Sequence, residues 1–228
     1  MIKATLKDHM GSDLTVVNAA RVSFGKESHA VAWMEYEYEN KSRSGDLVAV
    51  LDHRDQKLIR YLAKHKHISP FGHAFASFHV KAPIFVARQL VKHSFLRWNE
   101  ISRRYVDDEP EFYVPEVWRG RSADKKQGSE GVVESNANML YYNDKSLGLY
   151  KQLLDEGVAP EQARMVLPQS TMTEWWWSGS LDAFARMCNL RCATDTQYET
   201  RIVADQISEV MGDLFPVSWN ALMEIDND

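Results

Sequence analysis

The apolar residues change period at Pro83, and that change most narrows the folds open to this chain. Before it, Ala76, Phe78 and Val80 alternate with Ser77, His79 and Lys81, the two-residue repeat of a half-buried strand. After it, Ile84-Phe-Val-Ala-Arg-Gln-Leu-Val-Lys-His-Ser94 runs without a breaker, and proline is tolerated at the first position of a helix. At about 100° per residue, Gln89, Lys92 and His93 share one arc, while Ile84, Val86, Ala87, Leu90 and Val91 cover most of the rest. The expectation is a buried helix with three polar side chains aimed into a protein-lined site. A charge buried there needs a partner, and an anionic ligand would serve.

The stretch that follows is basic. From Arg88 to Tyr105, the cations Arg88, Lys92, Arg97, Arg103 and Arg104 face a single acid, Glu100, in a chain of formal net charge −5. Clustered Arg and Lys beside serine and histidine suit a phosphorylated small molecule, because Arg offers a planar fork of donors and Lys a mobile point charge. A solvated helix face is the commoner cause of an arbitrary basic run. The inward arc argues for a ligand instead.

The remaining composition sets outer limits. With 228 residues, 44% hydrophobic and 11% aromatic, the chain can bury a substantial core. Its acidic balance speaks against general nucleic-acid binding. No apolar run reaches the roughly 18 residues of a membrane-spanning helix. The first residues lack the apolar core of a signal peptide, so a cytoplasmic location without membrane association is expected. Cys188 and Cys192 lie on one face of a predicted helix, where a disulfide is geometrically disfavoured and buried, reduced thiols are expected.

In chain order, residues 2–7 suit an edge strand. Asp13 is a candidate N-cap for a helix to Arg21. Residues 26–48 read as a polar surface loop or insertion. Asp55 is a candidate cap for a helix carrying Leu58, Ile59, Tyr61 and Leu62, with cations at its C-terminal end. A turn on Pro70 and Gly72 precedes the strand into Pro83. Residues 106–115 read as extended and residues 119–135 as a mobile loop. Met139 to Leu154 form a long helix stopped by Gly157, and Pro160 opens a short one. Ser178 or Ser180 could cap a helix from Leu181 to Arg191, and Thr194-Asp-Thr-Gln197 has the capping-box pattern before a last helix. Trp175-Trp176-Trp177 suits a core or subunit interface better than a stacking platform. The fold class is α+β: one helix-rich domain over 1–228 with a small antiparallel or mixed sheet.

Simple motif chemistry finds little. His65, His67 and His73 lack zinc-ligand spacing, so no metal is expected. Neither a Gly-rich phosphate loop nor a G-x-S-x-G elbow occurs. Taken alone, Arg164 and Arg191 suit helix positions and Ser102 a turn.

Several ordered motifs together resemble the flavin-dependent thymidylate synthases over nearly the full length. They are Met10-Gly-Ser-Asp-Leu14 with Ala20-Arg-Val-Ser-Phe24, His67-Ile-Ser-Pro-Phe-Gly-His73, and Phe78 to Gln89. The family signature, Arg-His-Arg followed after seven residues by Ser, is met by Lys92-His93-Ser94 and then Ser102, with Asn99-Glu100 and Arg104-Tyr105 in place. Glu111-Phe-Tyr-Val-Pro115, Ala163-Arg-Met-Val-Leu-Pro168 and Asn189-Leu-Arg191 also fit.

The resemblance implies a homotetramer with shared active sites that methylates dUMP at C5, using FAD, NADPH and methylenetetrahydrofolate. It implies that Gln89, Lys92, Glu100, Ile101, Ser102, Arg103, Arg104 and a neighbouring subunit's Arg164 hold dUMP, with Gln89, Ser102, Arg103, Arg104 and Arg164 holding it largely by its phosphate. Arg191 would be the catalytic residue, polarising the uracil as it ionises. Ser23, His67, Ser69, Lys92, His93, Ser94 and Glu100 would line the flavin, with Ser180, Asp182 and Arg186 where the family has Asn, Arg and Asn. Lys92 loses the bidentate fork of the first signature Arg, and Ser94 loses the charge of the second. Those changes leave open another pyrimidine nucleotide or hydroxymethyl transfer, and a nucleotide-binding protein without catalysis.

Overall fold

Two neighbouring antiparallel strands with alternating burial carry the centre of the molecule. The computed structural model describes residues 1–36, 46–106, 108–123 and 128–223. In chain order these form β1 (Lys3–Met10), α1 (Asp13–Arg21), β2 (Ala32–Tyr36), β3 (Asp46–Val50), α2 (His53–Lys64), β4 (Phe75–Pro83), α3 (Ile84–Leu90), β5 (Leu96–Glu100), β6 (Trp118–Arg121) and β7 (Ser129–Val133). They continue with α4 (Met139–Asp155), α5 (Pro160–Ala163), β8 (Met172–Ser180), α6 (Leu181–Arg191), α7 (Tyr198–Leu214) and α8 (Pro216–Met223). The main sheet runs β1-β4-β8-β5, antiparallel throughout. It is α+β, as the residue patterns suggest.

The tryptophan run is a strand, β8, which the sequence patterns left unassigned. Trp175 and Trp177 are buried, whereas Trp176 points to the opposite face at 46% exposure. Trp98 of β5 stacks on Trp175 with ring centroids 4.3 Å apart. Phe184 of α6 meets both Phe78 (5.4 Å) and Trp177 (5.6 Å) edge-on, the geometry the ring quadrupole favours. On the other face His79 pairs with Glu174 at 2.8 Å. Cys188 is buried and Cys192 half-buried, both free thiols.

Several local expectations are corrected. The N-cap of α1 is Ser12, whose N–H donates to Thr15 Oγ1 at 3.0 Å, and that of α2 is Asp52, which accepts from the Asp55 N–H at 2.8 Å. The two aspartates expected to cap are buried and engaged elsewhere. Asp13 accepts from the Val217 and Ser218 N–H groups, both at 2.9 Å, and so caps α8 across the fold. Asp55 accepts from Arg21 Nε at 3.0 Å. The N-cap of α7 is Gln197, without a side-chain capping bond, so the capping-box expectation fails.

Residues 26–48 are not all loop: β2 pairs with β3 from Ala32↔Val50 to Tyr36↔Asp46, and Val48 and Ala49 are buried. The part of that segment at 37–45 lies outside the described residues. Likewise β6 and β7 make a hairpin in place of the expected mobile loop, 124–127 lying outside the description. Its Gly128 has φ +82°, and a Cβ there would lie 2.4 Å from the Asp195 carbonyl oxygen. Only glycine lets the hairpin sit that close to the loop between α6 and α7.

The helix after Pro83 is shorter than the pattern predicts. It ends at Leu90, the His93 N–H turns back to the Leu90 carbonyl at 3.1 Å, and Phe95 takes a left-handed φ of 65°. The helical rotation per residue therefore stops applying beyond Val91. Lys92 is exposed rather than inward, while Gln89 and His93 remain half-buried.

Candidate active site

The turn between α3 and β5 lies along α6, and this contact assembles the polar centre. At its C-terminal end Arg191 Nε donates to His93 Nε2 at 3.0 Å, and Arg191 Nη2 approaches the Gln89 carbonyl at 3.5 Å. Nearer the N-terminus the Arg186 guanidinium sits 5.2 Å above the Phe95 ring. Burial, and then the Arg191 charge, push the His93 pKa down to about 4, so the imidazole is neutral and accepts at Nε2. Burial also lowers the Arg191 pKa. A half-buried guanidinium is thus positioned by a neutral neighbour, leaving part of its donor fork for a ligand.

Gln89 is held by residues that the sequence patterns did not single out. Its Nε2 donates to Gln197 Oε1, Gln197 Nε2 donates to Glu199 Oε2 at 3.2 Å, and the Tyr113 hydroxyl donates to Glu199 Oε1 at 3.5 Å. Burial, and then the Glu199 charge, push Tyr113 up to about 12. Gln197 had read only as part of a cap and Tyr113 only as part of the Glu111–Pro115 motif, and no local signal marks Glu199. They meet Gln89 because α7 packs against α3.

Along α6, Ser180 Oγ donates to Asp182 Oδ1 at 2.6 Å, and Asp182 Oδ2 pairs with Arg186 Nη2 at 3.1 Å. The register places Gly179 opposite Leu96 and Ser180 opposite Phe75. The turn that carries His93, Ser94 and Phe95 thus meets α6 at Arg191 and Arg186, and Ser180 and Asp182 are linked to Arg186 through their own bonds.

A second cluster lies at the far end of β5. Glu100 Oε1 accepts from Thr173 Oγ1 at 2.7 Å and Oε2 from Trp98 Nε1 at 3.1 Å, which fixes the carboxylate. Ser102 opens the next turn, and its Oγ accepts from the Arg104 N–H at 3.3 Å. Arg103 pairs with Asp108 at 3.1 Å, so its charge is partly spent, while Ile101 is half-buried beside it. Arg104 is exposed and donates to the Tyr105 hydroxyl at 2.9 Å. Arg164 is exposed near the end of α5, its Nε donating to the Glu161 carbonyl at 3.3 Å. Neither this cluster nor Arg164 contacts Arg191 within the chain.

The remaining flavin candidates meet at a groove of about 860 Å³ between the end of α1, the C-terminal half of α2 and the turn after it. Ser23, His67 and Ser69 line it together with Arg21, Lys26 and Tyr61. Two hydroxyls, a lysine and an aromatic wall suit a diphosphate joined to a ring, and the size matches an ordinary cofactor cleft. These residues fit FAD, although Arg21 is already paired with Asp55. Among the described residues no group of three or more His, Cys, Asp or Glu is placed to hold a metal ion, and no helix is long and apolar enough to cross a membrane.

Residues 5–217 match the family model described as thymidylate synthase complementing protein. The chain belongs to the flavin-dependent thymidylate synthases. The enzyme of that name from Thermus thermophilus is 39% identical over 222 residues, covering 96% of this chain and 74% of that protein. Its counterpart from Kosmotoga olearia is 37% identical over 224 residues, covering 96% and 88%. Among solved structures, the UMP/dUMP methylase PolB from Streptomyces cacaoi, bound with 5-Br dUMP, superposes with a TM-score of 0.80 at 29% identity, covering 99% of this chain and 96% of that one. The same protein bound with 5-Br UMP gives 0.79. Within this family the chain is a flavin-dependent methylating enzyme.

Proposed function

We infer that this protein converts dUMP to dTMP by reductive methylation at C5, with methylenetetrahydrofolate as carbon donor and NADPH-reduced FAD as hydride source. The observation that carries the reading is Arg191: a half-buried guanidinium, oriented by a neutral His93 and lying against Gln89, in a chain of this family. Bound FAD, once reduced, supplies the hydride. The groove of Ser23, His67 and Ser69, together with His93, Ser94, Ser180, Asp182 and Arg186, would hold it, with the exposed Lys92 near its phosphates.

In this reading the free donors of Arg191 face the uracil carbonyl on which negative charge develops, electrostatic stabilisation by a preplaced cation. Gln89, whose backbone carbonyl lies against Arg191, is assigned here to the base in place of the phosphate. Ser102 and Arg104 bind the phosphate with Arg164 of a neighbouring subunit, and Arg103 contributes less because Asp108 engages it. Ser102 has no side-chain base among its hydrogen bonds, so it positions the nucleotide and does not attack it. Glu100, anchored by Thr173 and Trp98, stands between nucleotide and flavin.

The split between the clusters supports sites shared between subunits, as in the homotetramer we propose. The five residues of β5, at about 3.3 Å each, separate Arg191's end of the strand from Ser102's by roughly 15 Å. One nucleotide reaches both sets only if a second subunit supplies one of them.

A second reading, UMP in place of dUMP, is favoured by one observation: the similar Streptomyces cacaoi protein is named as a methylase of both. The deciding experiment supplies purified protein with NADPH, methylenetetrahydrofolate and either nucleotide. The expected result is a yellow protein, bleached by NADPH without oxygen and reoxidised on adding folate and dUMP, with dTMP formed. Methylation of UMP alone would hand the site to the second reading. A colourless, inert protein would end both.

A further inference from the structure

We propose that Glu199, acting through Gln197, fixes the orientation of the Gln89 amide and thereby makes the site select uracil over cytosine. The inference rests on the reading above, in which Gln89 and Arg191 meet the base. Its logic is one of obligate hydrogen-bond direction. A carboxylate only accepts, so Gln197 must turn its amino group toward Glu199, as it does at 3.2 Å. That leaves the Gln197 carbonyl oxygen facing Gln89, which must answer with an N–H, as it does. The opposite orientation of Gln89 would set two carbonyl oxygens against each other.

A free amide reads either hydrogen-bond pattern by turning over, since its oxygen and nitrogen are almost the same size. This one has lost that freedom. Tyr113 reinforces the anchor: its phenol, which stays protonated, donates to the other oxygen of Glu199. The relay is also held from outside. Gln197 lies in the α6–α7 loop on which the β6–β7 hairpin rests, with the Arg119 guanidinium 5.1 Å above the Tyr198 ring.

The consequence is a fixed edge on the Gln89 side chain, an acceptor oxygen beside one remaining N–H, while Arg191 Nη2 approaches the backbone carbonyl of the same residue at 3.5 Å. Uracil matches that edge, with a ring N–H for the oxygen and a neighbouring carbonyl for the N–H. Cytosine at the same position sets an unprotonated ring nitrogen against the amide oxygen. A site built to hydrogen-bond one group rejects the analogue that leaves its own polar atoms unpaired. Gln197 and Glu199 are thus positioning residues that act on the base through Gln89.

The test is calorimetric binding of dUMP and dCMP to the flavin-loaded enzyme, for the native protein and three variants. Glu199→Gln is nearly isosteric but lets position 199 donate, which frees the relay to reverse. It should narrow the dUMP-over-dCMP preference by roughly tenfold, the value of about one net hydrogen bond. Gln197→Met, which removes the tether and keeps the bulk, should do the same. The double variant Gln197→Glu with Glu199→Gln moves the obligate acceptor next to Gln89 and should restore the preference. The UMP-over-dUMP ratio, which reads the sugar, should stay constant throughout. An unchanged dUMP-over-dCMP ratio in the single variants, or no recovery in the double, would overturn the relay while leaving the dUMP reading intact. A native enzyme that binds neither nucleotide would remove the reading of the site, and the relay with it.

Discussion

A guanidinium helps a developing anion only if its position is set by something other than the anion. Arg191 meets that condition through His93 and the Gln89 carbonyl. Removing it by Arg191→Ala should lower the rate of dTMP formation by about a hundredfold to a thousandfold, the usual effect of losing one preorganised donor. The melting temperature and flavin spectrum should change little, and retained turnover would take the catalytic role away from this residue. His93 makes a second prediction through its protons. Folding holds it neutral down to about pH 4, whereas an unfolded imidazole gains a proton below its ordinary 6.5. Between those values the unfolded state binds more protons, so stability falls as pH drops from 6.5 toward 4 and His93 adds no further slope below that. His93→Gln should flatten that part of a curve of urea midpoint against pH. The motifs around these residues were legible because they are local: Lys92-His93-Ser94, Glu100 and Asn189-Leu-Arg191 can be read along the chain. The inward arc was read wrongly at Lys92, because nothing near Leu90 in sequence announces that the helix stops there.

At the scale of elements, the period-two strand into Pro83 and the helices up to Gly157 and around Arg191 followed from local pattern. The strands outside that pattern did not. In β8 the three consecutive tryptophans hide the alternation, since Trp176 is as apolar as its neighbours and yet faces outward. Polar hairpins such as β6–β7 are held by what they pack on rather than by their own composition. Gly128→Ala tests that dependence. With φ at +82° and a Cβ only 2.4 Å from the Asp195 oxygen, the substitution should cost about 1–3 kcal/mol and loosen the hairpin from the α6–α7 loop. Limited proteolysis in the hairpin should accelerate, and wild-type resistance would argue that the contact carries little. Asp13 ties α1 to the first turn of α8. Asp13→Ala strips two backbone N–H groups of their acceptor and should lower unfolding free energy by about 2–3 kcal/mol, read from denaturant melts.

At the scale of the molecule, Arg191 meets the turn before β5 and Ser102 follows its end, while Arg164 is exposed. If subunits complete one another's sites, chains carrying Arg164→Ala and chains carrying Arg191→Ala should each be inactive alone yet recover part of the activity when co-expressed, because mixed assemblies contain some sites with both arginines. Light scattering should give the mass of four chains, and an active monomer would sink the shared-site reading. The sequence by itself determined the family, the α+β class and the candidate site side chains, because those depend on which residues follow one another. Only the tertiary structure decided which of them meet. The neutral His93 against Arg191, the Glu199–Gln197–Gln89 relay and the distant capping of α8 by Asp13 join residues up to 205 positions apart. Their energies come from burial and hydrogen-bond direction, which exist only once the helices close over the sheet.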